Sequence, residues 1–125
     1  VKILEKLGSK INWDKQNSTL KIDNSKIRFE NLTHEDLGNM KGTSLLWGPM
    51  LARFKKVNFE DLPGGCTLGF RTLEPHYEAF RALGVKVREG ASSASMNAAN
   101  LKLAEMLLTE MNVTATENMV MSQRP

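Results

Sequence analysis

Apolar positions change their spacing several times along this chain, and each change marks an element. Val1, Ile3, Leu4 and Leu7 recur at the interval of a helix face, and Gly8 supplies a stop. From Lys10 to Asp14, and again from Thr19 to Asp23, a strand pattern takes over, with Leu20 and Ile22 alternating with polar neighbours. The polar run Lys15-Gln16-Asn17-Ser18 between them reads as the turn of a hairpin. Lys26 to Glu30 repeats the alternation through Ile27 and Phe29.

The middle of the chain is less regular. Thr33, with Asp36 three residues on, has the form of a weak capping box. A helix from about His34 to Phe54 would contain Gly38, Gly42, Gly48 and Pro49, and propensity alone splits it. Val57 to Glu60 reads as a strand. Thr72 can cap a helix with Pro75 in its first turn; Tyr77, Phe80 and Leu83 form its apolar face, and Gly84 ends it. Val85 and Val87 open a strand, Gly90-Ala91-Ser92-Ser93 turns the chain, and Ala94 to Ala98 returns. A helix followed by a hairpin thus occurs at 1–30 and again at 72–98. Leu101, Ala104, Leu107, Leu108 and Met111 fit a helix by spacing alone.

Composition narrows the function classes. At 125 residues, 41% hydrophobic and 25% charged, the chain suits one globular domain. It has no run long enough for a membrane span and no signal peptide pattern at its start. The one cysteine excludes an internal disulfide and fits a reducing cytoplasm. A net charge of +3 is small and scattered: it suits an anionic small molecule better than nucleic acid. Two histidines and one cysteine, far apart in sequence, give no metal-ligand constellation. No phosphate-binding P-loop occurs, and no cofactor is expected. The methionines at 106, 111, 119 and 121 read as core fillers.

The cysteine itself, Cys66, lies in Leu62-Pro63-Gly64-Gly65-Cys66-Thr67-Leu68-Gly69-Phe70-Arg71. Glycine lets a chain lie close to a ligand, and a cation such as Arg71 nearby favours thiolate over thiol. From composition alone, Cys66 reads first as a buried, inert core thiol at a turn, because single cysteines are usually of that kind. The surrounding segment bears on that choice. Trp47-Gly48-Pro49-Met50-Leu51-Ala52-Arg53-Phe54, the Pro-Gly-Gly-Cys loop, then Glu74, His76 and Ala82-Leu83-Gly84 closely resemble the UDP-N-acetylglucosamine enolpyruvyl transferase family. The likeness is dense from Met40 to Val87 and looser on both flanks; Val113-Thr114-Ala115-Thr116-Glu117-Asn118 is similar to a further family segment. The shikimate-pathway transferase shares the fold but lacks the cysteine loop.

The resemblance implies an α/β (α+β) fold, part of an inside-out barrel built from βαβαββ repeats. It implies one buried helix over 41–54, a strand near Ala104 to Leu108 in place of the helix that spacing suggests, and a helix starting near Thr114. The family enzyme is several times larger and has two domains, so residues 1–125 are expected to be an interior part of one domain, without the other. The implied reaction moves the enolpyruvyl group of phosphoenolpyruvate to the 3-hydroxyl of UDP-N-acetylglucosamine, the first committed step of peptidoglycan synthesis. The isolated chain is expected to be inactive. The resemblance makes Cys66 the catalytic acid and the target of an epoxide antibiotic of the fosfomycin type.

For substrate binding, the resemblance implies Arg71 after the loop, then Thr72, Leu73, Glu74 and Pro75 around the uridine end, and His76 near the nucleotide. It also implies Lys41 and the run Glu110-Met111-Asn112-Val113. Several positions depart from the family pattern. Lys41 stands where the family usually has arginine, which keeps the charge and loses the bidentate fork. Thr72, Glu74 and Pro75 replace the usual Pro, Asp and Leu, and Glu110 reverses a charge where lysine is common. From the residues alone, Arg71 is also readable as a surface ion pair and His76 as a solvated helix residue. His34 has no motif support, and Arg53 reads as a brace of the fold. The open alternative for the whole chain is a non-catalytic binding or structural module that kept the fold.

Overall fold

This computed structural model describes residues 1–28, 41–59 and 72–123, and the backbone but not the side chain of Lys41. The expected cap at Thr33, the end of the strand expected over 26–30, the cysteine loop and Arg71 lie outside the described residues; residues 26–28 form no strand. Helices and sheets combine in a mixed α/β arrangement. The chain divides into two compact units, residues 1–36 and 37–125.

In the first unit a short helix α1, Lys2–Lys6, precedes a hairpin of β1, Lys10–Asp14, and β2, Thr19–Asp23. The two strands are antiparallel, with Trp13 opposite Leu20 and Ile11 opposite Ile22. The turn between them is held by Asp14. Its Oδ1 accepts the backbone N–H groups of Gln16 and Asn17, and its Oδ2 accepts from the Asn17 amide at 2.8 Å. The side-chain and backbone hydrogen bonds from Asn17 hold the Asp14 carboxyl below its ordinary range.

The second unit opens with a 3-10 helix, Lys41–Leu46, that runs directly into α2, Trp47–Phe54. The helix expected over 41–54 is thus present as two consecutive pieces. Then follow β3, Lys56–Phe59; α3, Glu74–Ala82; β4, Lys86–Glu89; β5, Ala94–Asn97; and α4, Val113–Ser122. Strand β5 is central: β3 and β4 flank it and both run antiparallel to it. The order α2-β3-α3-β4-β5 is the αβαββ portion of the expected repeat. The helix-then-hairpin echo is also present, as α1-β1-β2 and α3-β4-β5.

The core of this unit gathers where α2 meets the sheet. Trp47, Leu51, Phe80, Leu83 and Met96 are fully buried. The Trp47 ring lies 5.1 Å from Phe59 and stacks on Tyr77 at 6.0 Å, with 2° between the ring planes. Helix α3 stops at Gly84, whose φ of +85° lies in the left-handed region that favours glycine.

Leu101 to Met111 departs from expectation. It forms neither the helix that spacing suggests nor the strand the resemblance implies near Ala104 to Leu108. A strand needs a ladder, and no neighbouring strand among the described residues pairs with it. A helix would need an apolar face to bury, yet Leu103, Leu107 and Met111 are exposed. The segment is tied to α3 instead. The Lys102 N–H donates to the Leu83 carbonyl at 2.9 Å, and the Thr109 hydroxyl donates to the Glu78 carboxylate at 2.6 Å.

Candidate functional site

Two stretches that the sequence marks as substrate-binding, Thr72–His76 and Glu110–Val113, lie on separate elements. Three ties bring them side by side. Residues 102–114 descend along α3 from its end to its start, through Lys102–Leu83, Thr109–Glu78 and finally Thr114–His76. The loop before α4 therefore meets the first turn of α3.

That first turn forms for local reasons. The Thr72 hydroxyl accepts the N–H of Glu74 at 3.1 Å, and Pro75 occupies a position where a missing N–H costs nothing. The Glu74 carboxylate is half exposed and points back along the helix to Arg81, at 2.6 Å; Arg81 also pairs with Glu89 on β4. Pro75 and His76 are buried.

On the other side, Asn112 caps α4. Its Oδ1 accepts the N–H of Ala115 at 2.9 Å and the hydroxyl of Thr114 at 2.9 Å. Glu110 and Met111 are exposed, Met111 at 95%. Val113, the first helical residue, is also exposed. Lys41 begins the 3-10 helix, three residues before Ser44, whose carbonyl receives an amide proton of Asn118 at 2.8 Å.

His76 joins these pieces. It is 3% exposed, so it is not the solvated helix residue that its sequence position allowed. Its Nε2 lies 3.2 Å from the Thr114 hydroxyl, its Nδ1 lies 3.1 Å from the Asn118 amide nitrogen, and its ring meets Trp47 edge-on at 5.6 Å. Asn118 is fully buried in the middle of α4. Its Oδ1 accepts the N–H of Gly48 at 2.8 Å, one of the N–H groups that a helix start leaves without a partner. The α2 and α4 backbones meet closely here: a Cβ on Gly48 would lie 2.4 Å from the Asn118 carbonyl oxygen.

Sequence reasoning placed Thr114 and Asn118 in a family-like segment without giving either a role, and passed over the Glu78–Thr109 tie. A signal was present in α4. Its buried face is Ala115, Asn118 and Ser122, small or polar at helical spacing, while Val113 and Val120 are exposed. A helix that buries an amide and exposes valines is organised around hydrogen bonds rather than apolar area.

Other chemistry is thin on the described residues. No group of three His, Cys, Asp or Glu side chains among them could hold a metal ion. No helix among them is long and apolar enough to cross a membrane. A shallow cavity of about 340 Å³ lies at the end of the three-stranded sheet, lined by residues such as Phe59, Arg88 and Ser93, and it contains none of the expected site residues.

This arrangement of helices and sheet belongs to the enolpyruvyl transferases. The family model for EPSP synthase (3-phosphoshikimate 1-carboxyvinyltransferase) matches residues 1–124, and the chain belongs to that family. Curated relatives are more particular. The chain is 32% identical over 120 residues to UDP-N-acetylglucosamine 1-carboxyvinyltransferase 1 of Clostridium acetobutylicum, covering 96% of this chain and 28% of that protein. It is 34% identical over 124 residues to the UDP-N-acetylglucosamine 1-carboxyvinyltransferase of Coxiella burnetii, covering 98% of this chain and 28% of the relative. The chain therefore spans little more than a quarter of the length of these relatives. The crystal structure of the enolpyruvyl transferase NikO from Streptomyces tendae superposes with a TM-score of 0.63 at 20% identity, over 80% of this chain and 21% of that one. That likeness concerns the fold.

Proposed function

We propose that this chain supplies the proton-donating cysteine and one wall of the nucleotide-sugar site of a UDP-N-acetylglucosamine 1-carboxyvinyltransferase, acting in peptidoglycan synthesis. The observation that carries the reading is the adjacency of Thr72–His76 and Glu110–Val113, joined through His76 and Thr114. The relatives' names and the Pro-Gly-Gly-Cys sequence at 63–66 support the same choice over a shikimate substrate.

In this reading the sugar's 3-hydroxyl adds to C2 of phosphoenolpyruvate while C3 takes a proton. Loss of a C3 proton and of phosphate then restores the double bond, leaving the enolpyruvyl ether and inorganic phosphate. Cys66 supplies the proton to C3. Lys41 and Arg71 offset the substrates' negative charge. Polar backbone and the Asn112 region of the wall orient the nucleotide. An aligned pair of substrates accounts for most of such a rate, so the wall's rigidity matters as much as its charge.

A chimera tests this. Residues 1–125 replace the matching stretch of the Clostridium acetobutylicum relative, and phosphate release from phosphoenolpyruvate is followed with each acceptor. The expected result is release that depends on UDP-N-acetylglucosamine. A folded chimera that releases phosphate only with shikimate 3-phosphate, or with neither acceptor, would contradict the proposal.

A further inference from the structure

The hydrogen bonds around Asn118 leave one consistent assignment of protons. The Gly48 N–H can only donate, so the oxygen of the Asn118 amide faces it. The Ser44 carbonyl can only accept, so the amide nitrogen faces that side. Both partners fix the same orientation independently. The second amide proton then points at His76 Nδ1, which must hold a lone pair. The ring proton sits on Nε2 and is donated to the Thr114 hydroxyl. Thr114 in turn donates to Asn112 Oδ1, which also caps α4.

We infer that Asn118 is a positioning residue for the nucleotide-sugar wall: it selects the Nε2–H tautomer of His76, and through Thr114 and Asn112 that tautomer fixes the Glu110–Val113 segment against the first turn of α3. The chain of donors runs one way, from the α2–α4 contact outward to the loop. The other tautomer would set an Nδ1–H against the Asn118 amide protons at a buried link, and would draw the Thr114 proton to Nε2 and away from Asn112. A neutral histidine favours the Nε2–H tautomer even without a partner, so the mark of positioning by Asn118 is that the ring's protonation follows a change at residue 118. The inference about the wall's geometry stands on the hydrogen bonds; its consequence for ligand affinity rests on the function proposed above.

The test uses the chimera described above, labelled with 15N, and reads the two ring nitrogens of His76 directly. In the parent, Nδ1 should be unprotonated and Nε2 protonated at neutral pH. Asn118→Asp keeps the shape and the acceptor for Gly48 but loses the donor to the Ser44 carbonyl and sets a carboxylate oxygen against Nδ1, so Nδ1 should become protonated. Thr114→Val keeps the fold of α4 and removes the relay. It should leave Nδ1 unprotonated while speeding amide exchange at Ala115 about tenfold or more. A parent ring protonated at Nδ1, or Thr114→Val with unchanged exchange at Ala115, would overturn the inference.

A separate arm adds UDP-N-acetylglucosamine. Each variant should bind about tenfold more weakly than the parent. Failure of the parent to bind would count against the proposed function and leave the tautomer result standing. Parent-like binding by both variants would overturn the positioning role.

Discussion

Gly48 and Asn118 meet backbone to backbone: a Cβ on the glycine would fall 2.4 Å from the Asn118 carbonyl oxygen, while the Gly48 N–H reaches the Asn118 side chain at 2.8 Å. One residue thus permits the crossing of α2 and α4, and the other stitches it. The contact anchors the His76 hydrogen-bond chain where α2 and α4 cross.

Gly48→Ala therefore sets two effects in opposition. Helix propensity favours alanine by about 1 kcal/mol. The clash is with backbone, which cannot swing aside, and overpacking of this kind costs about 1–3 kcal/mol or more. The clash should win, so urea unfolding should show a lower midpoint for the variant. A raised midpoint would mean that the helices separate at little cost.

Tyr77 should give the fold a distinct alkaline limit. Burial, then the charges of Glu89 and Glu74, push its phenol up to about 12. In the unfolded chain the phenol ionises near 10. The unfolded state therefore loses its proton first, and stability present below pH 10 declines as pH rises toward 12, by about 3 kcal/mol at most. Tyr77→Phe should remove that part of the decline. The phenol oxygen is buried without a hydrogen-bond partner among the described residues, so at pH 7 the variant should be as stable as the parent or about 1 kcal/mol more so. Unfolding curves from pH 8 to 11.5 check both points, and a constant difference between parent and variant would refute the first.

How far the sequence foretold this arrangement depended on where the information lay. Local pattern placed β1, β2, α3 and the β4–β5 hairpin closely, because alternation and turn residues are read within a few positions. The segment 101–111 misled both spacing and resemblance. Its shape is set by Leu83 and Glu78, far away in sequence, rather than by its own residues. The candidate wall was legible as two motifs, at 72–76 and 110–113. The hydrogen-bond chain between them was not, since it needs Asn118 and Gly48 brought together across 70 positions.

Cys66 is tested in the chimera described above. Cys66→Ser should abolish or sharply reduce turnover and remove covalent labelling by an epoxide inhibitor. Cys66→Asp should keep more activity than serine, because a carboxyl group still donates a proton, and should also escape the label. Mass spectrometry of the labelled protein decides the matter; a serine variant labelled like the parent would place the reactive group elsewhere.

Lys41 stands where the resemblance implies an arginine. Lys41→Arg should preserve or improve nucleotide-sugar binding, and Lys41→Ala should weaken it by about 1.5–3 kcal/mol, the worth of a charge-assisted hydrogen bond. Calorimetric titration of the chimera reads this directly. An alanine variant that binds like the parent would make Lys41 a helix-surface residue with no part in the site.

The most direct measurement is an amide map of residues 1–125 within the chimera, titrated with UDP-N-acetylglucosamine. The account predicts saturable shifts that cluster at residues 72–76 and 110–114. Shifts confined to other surfaces, or none at millimolar ligand, would contradict it.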